Sequence, residues 1–403
     1  MKRSMQLRIY LALMMGLVTC TAHCAGQAAT AADNQRQTAL ALEQQGGNAE
    51  AEAAWRMYLK DHPSSPEAYA HLGLLEARQE HYKEAVPLYR RALALGPKMA
   101  SVELNLGLAL FKGGQLKESI QVFTPLLKSQ PAGTQQALQL TTLLGMAHYG
   151  LGEYAEAAHY LKISAASDTQ NIQLRLALAH SCLWSKQYQC VLDTYHEILT
   201  LNAESAEADM LAGEVLDEEK NTLGAIEQFR AAVKADPKQP DAHFGLGYLL
   251  WTQSQYAEAA SEFQAELANN PDHLLAMTYL GNTQMQLENR EAAIPLLEKA
   301  IRIDPGTELA HLDLGILYND SGRRDDGLRE LKIAERLSPG DEDVHWRLGR
   351  FYQAAGRKDE AKVEFDKTRS LQKAVDDSLV KKLHDAQVRG KAAEQAPGAA
   401  VAK

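Results

Sequence analysis

Glycine recurs at a fixed step along most of this 403-residue chain. An uninterrupted series at intervals of 34 residues is formed by Gly213, Gly247, Gly281, Gly315 and Gly349. Gly73 and Gly107 keep the same step, and Gly145 joins the later series through Ala179, but Gly107 and Gly145 are 38 residues apart. A period of about 20–50 residues is typical of proteins that stack one supersecondary unit many times. The sequence therefore predicts a repeat array with four residues inserted at 134–137.

Other residue types keep the same register. The residue sixteen positions after the glycine is large and apolar in most units: Tyr89, Phe123, Leu161, Phe229, Phe263, Leu297, Leu331 and Phe365. Eight positions later comes a proline in six units: Pro97, Pro131, Pro237, Pro271, Pro305 and Pro339. These features predict two antiparallel helices per unit, with glycine where they cross closely and proline ending the second helix. A single pair cannot bury its apolar face, so neighbouring pairs must stack.

This pattern resembles the tetratricopeptide repeat family over residues 32–375, in ten units. Repeat 5, residues 172–205, departs most, with Ala179 in place of the glycine and Ala203 in place of the proline. The resemblance implies an all-α, right-handed superhelix of about ten helix-turn-helix repeats. The expected organisation is a signal peptide (1–25), a linker (26–31), repeats 1–3 (32–133), the insertion (134–137), repeats 4–10 (138–375), a capping helix (376–390) and a disordered tail (391–403).

The first residues are typical of a secretion signal. Lys2, Arg3 and Arg8 precede and flank an apolar run over residues 9–18, which is short for a membrane span. We expect an exported protein, periplasmic or extracellular. Two alternatives remain open: a retained membrane anchor, and lipidation at Cys20. Membrane contact is expected only under one of those alternatives.

Net charge and motif content restrict the classes of function. The formal net charge of −10 disfavours nucleic acid as a partner. The sequence contains no His-Glu-x-x-His, Cys-x-x-Cys, phosphate-binding glycine loop or nucleophile elbow. His243, His311 and His345 recur four residues before the glycine, which indicates packing between helices rather than metal binding. The sequence therefore predicts no enzyme, no cofactor and no metal site.

Two cysteines, Cys182 and Cys190, would remain after removal of the signal. They are predicted near the end of the first helix and the start of the second helix of repeat 5, where an antiparallel pair brings such positions close together. A disulfide and two buried thiols are both compatible with this placement, because sequence does not fix the distance between the Cα atoms.

In the tetratricopeptide repeat family the first helix of each unit, helix A, lines a concave groove, and the resemblance implies that a protein or peptide partner binds there. Aromatic side chains and methionine are common at recognition surfaces. The candidate partner-binding residues are Phe111, Met146, Tyr149, Trp184, Phe244, Tyr248, Trp251, Tyr279, Asn282, Trp346, Arg347 and Arg350. Coverage of these side chains by neighbouring elements is the alternative interpretation.

Some family members clamp a partner's terminal carboxylate with cations and asparagines on successive units. Asn282 matches one such position, and Arg347 and Arg350 lie where cations would be needed. Asp313 replaces a second asparagine and Thr278 replaces a lysine, so the chain departs from this pattern at two positions. The resulting hypothesis is a non-catalytic scaffold or adaptor in the cell envelope. The alternative is an accessory subunit that positions a glycan- or lipid-processing enzyme.

Overall fold

The structure, a computed structural model, describes the backbone of residues 31–394 and the side chains of residues 33–378. The predicted signal peptide, nearly all of the predicted linker, and residues 395–403 lie outside the described residues. Within the described range the chain forms twenty α-helices and no strand. The all-helical repeat fold expected from the 34-residue period is therefore confirmed.

The helices form ten consecutive pairs, which divide into two compact units of five pairs each, with the division after Ala203. Unit 1 contains α1 (Ala31–Gln44), α2 (Asn48–Asp61), α3 (Pro66–Arg78), α4 (Tyr82–Leu95), α5 (Ala100–Lys112), α6 (Leu116–Ser129), α7 (Gln135–Leu151), α8 (Tyr154–Ser167), α9 (Ile172–Trp184) and α10 (Tyr188–Leu201). Unit 2 contains α11 (Ala206–Glu218), α12 (Thr222–Ala235), α13 (Ala242–Thr252), α14 (Tyr256–Asn269), α15 (Leu274–Gln286), α16 (Arg290–Ile303), α17 (Glu308–Asp320), α18 (Arg324–Leu337), α19 (Glu342–Ala354) and α20 (Lys358–Glu394). Odd-numbered helices are helix A of each repeat and even-numbered helices are helix B.

The recurring glycines lie where helix A meets a large side chain of helix B. A Cβ atom on Gly107 would lie 2.3 Å from the ring of Phe123, and one on Gly247 would lie 2.8 Å from the ring of Phe263. These separations are shorter than any van der Waals contact, so the crossing requires a residue without a side chain. Repeat 5 has Ala179 at this position, and there Tyr195 of helix B is only half-buried, whereas Phe123 and Phe263 are fully buried.

Clusters of buried apolar residues extend from one repeat into the next. One buried cluster, for example, contains Phe229 from α12, Leu249 from α13, Phe263 from α14 and Leu280 from α15. Three successive repeats thus share one apolar interior. Stability therefore depends on contacts between neighbouring repeats, as expected for a solenoid.

The four extra residues between repeats 3 and 4 are distributed between a loop and a helix. The loop from α6 to α7 has five residues, against four between α4 and α5, and α7 begins three residues earlier relative to its glycine than α5 does. The Thr134 hydroxyl accepts a hydrogen bond from the Ala137 amide at 3.2 Å and caps the added turn. The insertion therefore lengthens helix A of repeat 4.

The last helix is longer than its counterparts. It is continuous from Lys358 to Glu394, so residues 376–390, predicted as a separate capping helix, extend helix B of repeat 10. Residues 391–394, predicted to belong to a disordered tail, are also helical. No described helix has the length and apolar composition needed to cross a membrane.

Candidate partner-binding surfaces

The orientation of an aromatic side chain on helix A depends on its distance from the repeat glycine. Phe111, Tyr149 and Trp251 lie four residues after the glycine, whereas Trp184 lies five residues after the equivalent Ala179. One residue turns the side chain by about 100° around the helix axis. Phe111 is buried, Tyr149 and Trp251 are half-buried, and the Trp184 side chain is 47% exposed. The single-residue offset therefore separates the covered aromatic positions from the exposed one.

In unit 1 an aromatic cluster surrounds Trp184, and we call its members, Trp184, Tyr149, Tyr154 and His180, the Trp184 cluster. The centroid of the Trp184 ring lies 4.5 Å from Tyr154, 5.9 Å from Tyr149 and 5.2 Å from His180. Trp184 ends α9, Tyr149 lies in α7 and Tyr154 begins α8. Three helices thus bring these rings together at one place on the surface of unit 1.

Sequence reasoning selected Tyr149 and Trp184 but missed Tyr154 and His180. No sequence feature favoured the selection of Tyr154, because a tyrosine also begins helix B in three other repeats, at Tyr82, Tyr188 and Tyr256. Its position beside an exposed tryptophan distinguishes it from those residues. That proximity follows from the packing of α7, α8 and α9 and has no signature in the sequence.

Two other candidates in unit 1, Phe111 and Met146, contact the core. Phe111 is buried in one core cluster with Phe123 and Leu144, so its assignment to the partner-binding set is wrong: its ring is covered by neighbouring helices. Met146 is half-buried and packs against the same cluster. Neighbouring helices therefore cover the Phe111 ring almost completely and the Met146 side chain in part.

In unit 2 a second aromatic group lies on α13 and α15, and we call Phe244, Tyr248, Trp251 and Tyr279 the Trp251 cluster. The Tyr279 ring lies 5.3 Å from Tyr248 and 5.1 Å from Trp251, both nearly perpendicular, and 6.1 Å from Phe244. All four side chains are half-buried and pack against the core. Burial, with the nearby Tyr248, raises the pKa of Tyr279 above its ordinary value. These rings therefore form a fixed, partly covered surface.

A line of hydrogen bonds runs from the Trp251 cluster across two more repeats. The Trp251 Nε1–H donates to Asn282 Oδ1 at 2.9 Å, and Asn282 Nδ2 donates to Asp313 Oδ2 at 2.9 Å. Asn282 and Asp313 are both buried. Burial raises the pKa of Asp313 to about 7, against the opposing effects of the Asn282 hydrogen bond and the Arg347 charge.

The proposed partner-binding role of Asn282 does not agree with this geometry. Both ends of its amide are bonded within the protein, so Asn282 connects repeats instead of facing a ligand. Asp313 occupies the place where a second asparagine would be needed, and it serves as the acceptor for Asn282. A terminal carboxylate of a partner would meet a buried acid at this position.

At repeat 10 the candidates are cationic and aromatic. The Arg347 and Arg350 guanidinium carbons lie 5.0 and 5.3 Å from the Trp346 ring centroid, within cation–π range. Arg347 also pairs with Asp343 at 3.2 Å. Trp346 is 38% exposed, whereas Phe244, its equivalent in repeat 7, is covered by Tyr279 and His273 of the next repeat. Trp346 lies on the last helix A among the described residues, which accounts for its exposure.

A family model described as "Tetratricopeptide repeat" matches residues 36–100, 76–134, 104–172, 192–240, 210–271, 244–308 and 312–365. These matches cover well over half of the chain. The chain belongs to the tetratricopeptide repeat family. The resemblance inferred from the glycine series is thereby confirmed, and the array is a protein-interaction scaffold.

Curated relatives resemble the chain at low identity. The BBSome complex member BBS4 of Bos taurus is 24% identical over 307 residues, which cover 76% of this chain and 58% of that protein. The protein CTR9 homolog of Arabidopsis thaliana is 23% identical over 68% of this chain and 26% of its own length. The chain thus spans less than two thirds of these relatives. Among solved structures, YrrB, titled a TPR protein with an unusual peptide-binding site, is 21% identical, covers 44% of this chain and 92% of its own, and has a TM-score of 0.39.

The three recurring histidines are buried in this tetratricopeptide repeat array. His243, His311 and His345 each place Nδ1 within 2.6–2.7 Å of a glutamate oxygen nineteen residues later, on helix B of the same repeat. They therefore lie between the paired helices, at the position that the sequence assigned to packing.

The structure joins Cys182 and Cys190 in a disulfide, with the two Cα atoms 5.9 Å apart. Cys182 is fully buried near the end of α9 and Cys190 lies in the first turn of α10. The bond closes the turn that follows Trp184. The Trp184 cluster is therefore attached to a cross-linked helix pair.

Proposed function

We propose that the chain is an exported scaffold of the cell envelope that binds an apolar segment of a partner protein on the helix A side of its repeats. The observation that carries this proposal is the exposed Trp184 ring, grouped with Tyr149 and Tyr154. Tryptophan and tyrosine dominate the energetics of protein interfaces, because they bury a large area at low entropic cost.

The Trp184 cluster suits an aliphatic or aromatic side chain of a partner. The rings present apolar faces, whereas the tyrosine hydroxyls and the indole N–H supply polar contacts at the edges. Repeat packing has no need for an exposed tryptophan five residues after Ala179, since the same position is Gly150 in repeat 4 and Thr252 in repeat 7. Binding of a partner gives the exposed ring a role that packing does not.

Two features support an oxidising, exported location. The N-terminal sequence has the basic residues and the apolar run of a secretion signal. The Cys182–Cys190 disulfide is typical of proteins that mature outside the cytosol. A fusion of alkaline phosphatase after residue 31 tests export, since the enzyme is active only after translocation. An inactive fusion would contradict the envelope location.

The binding proposal is tested by affinity capture from an envelope extract with the wild-type chain, Trp184→Ala and a control, Leu223→Ala. Each substitution removes one exposed apolar side chain, and Leu223 lies on a helix B, outside the candidate surfaces. We expect loss of at least one captured protein with Trp184→Ala and its retention with Leu223→Ala. An unchanged set of captured proteins would contradict a role for the Trp184 cluster. Glycan binding by the purified chain, or capture of a glycan- or lipid-processing enzyme, would instead favour the accessory-subunit alternative.

A further inference from the structure

A histidine–glutamate pair is repeated three times in unit 2, and its surroundings differ in repeat 10. His311 pairs with Glu330 in repeat 9, and His345 pairs with Glu364 in repeat 10, each at 2.7 Å. Beside the repeat 10 pair lies a third acid, Glu335 of α18. The residue equivalent to Glu335 in the preceding repeat is Ile301. The third carboxylate is therefore an addition to the repeated pair.

Glu335, His345 and Glu364 have the geometry of a cation site. One ligand atom from each residue lies within 4.8 Å of the other two, and the residues come from three different helices, α18, α19 and α20. His345 and Glu364 are buried, and Glu335 is half-buried. Helices that are fixed by repeat packing hold these ligands in place before any ion binds.

The orientation of the His345 ring favours coordination through Nδ1. Its Nε2 lies 3.0 Å from the Pro339 carbonyl oxygen, and its Nδ1 lies 2.7 Å from Glu364 Oε2, where a metal ion would replace the proton that these two atoms share. Histidines that bind metal ions commonly donate the second ring N–H to a carbonyl or carboxylate in this way.

A second group of one histidine and two carboxylates in unit 2 lacks this property. Asp241, Glu266 and His273 also place ligand atoms close together. However, His273 Nδ1 accepts a hydrogen bond from the Ala276 amide at 3.0 Å as a helix cap, so the ring proton lies on Nε2, which pairs with Asp241. The Nδ1 of His273 is therefore occupied by a backbone amide, whereas the Nδ1 of His345 faces a carboxylate that could bind the same ion.

A cation already lies beside the His345 group. Lys367 Nζ is 2.8 Å from Glu335 and 3.1 Å from Glu364. The residue equivalent to Lys367 in repeat 9 is Ile333, so the lysine and the third carboxylate occur together. The Lys367 side chain is partly exposed and can withdraw its ammonium group into water. The carboxylates would then be left for a stronger cation.

We propose that Glu335, His345 and Glu364 form a binding site for a divalent transition-metal ion, with zinc as the probe, which displaces the Lys367 ammonium group. One imidazole nitrogen and two carboxylates are a ligand set that suits zinc, whereas magnesium and calcium prefer oxygen ligands alone. Two negative charges balance the dication, and a water molecule can complete tetrahedral coordination. This site is separate from the Trp184 cluster and does not depend on partner binding.

Titration of the full chain with zinc chloride, followed by isothermal calorimetry, tests the proposal. We expect one ion per chain for the wild type and an affinity at least about tenfold lower for Glu335→Gln, which removes one ligand and leaves the His345–Glu364 pair. Lys367→Ile, which introduces the residue of repeat 9, should bind more tightly than the wild type. Glu291→Gln, at an exposed acid on α16, is the matched control and should bind like the wild type.

The two substitutions also separate the proposal from a purely structural role of Glu335. If Glu335 serves only to pair with Lys367, neither variant changes zinc affinity. Absence of zinc binding by the wild type, or equal affinity in Glu335→Gln and the wild type, would overturn the proposal. Far-UV circular dichroism of each variant verifies that the helices remain folded.

Discussion

The Trp184 and Trp251 clusters show how the same repeat presents aromatic residues in two ways. Trp251 lies four residues after the glycine, is half-buried and donates its indole N–H to Asn282. Trp184 lies five residues after the equivalent Ala179, and nearly half of its side chain is exposed. The two clusters show that the distance of a tryptophan from the repeat glycine on helix A determines its role. Four residues after the glycine the ring stabilises the array, and five residues after it the ring remains open to a partner.

Trp251→Ala should have the largest effect of the changes that probe this comparison. The substitution removes ring contacts with Tyr248 and Tyr279 and leaves the buried Asn282 without its donor. We expect a loss of about 3 kcal/mol in the free energy of unfolding. Urea denaturation followed by circular dichroism measures it. A loss below about 1 kcal/mol would mean that Trp251, like Trp184, is a surface residue.

Removal of the disulfide tests whether the Trp184 cluster depends on a cross-linked turn. Cys182→Ala together with Cys190→Ala opens a short loop, since the two residues are separated by eight positions. A loop of this length is worth about 2–3 kcal/mol in the entropic model. The urea midpoint of the double variant should fall, and reduction of the wild-type chain should lower it similarly. An unchanged midpoint in both cases would show that α9 and α10 hold the turn without the bond.

Asp313, which lies two repeats beyond Trp251, should make the free energy of unfolding depend on pH. Burial raises its pKa to about 7, from an ordinary value of 3.8. Because the folded-state pKa is raised, its stabilising contribution is complete below about pH 4 and is lost as the pH rises through 7. Asp313→Asn keeps an acceptor for Asn282 but does not ionise. Unfolding free energies measured from pH 4 to pH 8 should therefore decline less in the variant, and parallel profiles would contradict the assignment.

Trp184→Ala should have the smallest effect on stability, about 1 kcal/mol, because it removes ring contacts at a half-exposed site and leaves no buried polar group without a partner. Its effect should instead appear in partner capture. The two variants should therefore differ in what they lose: Trp251→Ala loses stability, and Trp184→Ala loses partner binding. A large loss of stability from Trp184→Ala would place its ring in the core and remove the difference between the two clusters.

The candidate surfaces could be predicted only in part. Sequence position placed Tyr149, Trp184 and Trp251 on helix A, and the structure brings each of them into an aromatic cluster. Sequence position did not show that Phe111 is buried or that Asn282 is hydrogen-bonded at both ends of its amide. Both facts depend on contacts with side chains of neighbouring repeats, which the 34-residue period does not predict.

The sequence alone determined the helical repeat, because the pattern of residue types that specifies each helix pair lies within one unit and recurs in most units. Glycine where two helices cross, a large residue sixteen positions later and a helix end at a fixed distance follow from sterics within one unit. Even α10, which has Ala203 in place of proline, ends at the same register as the other B helices. Tertiary structure decided which helix A residues are covered, whether Cys182 meets Cys190, and where Glu335 joins a histidine pair. Each of these is a contact between elements, and its outcome depends on distances of a few ångströms that only packing sets.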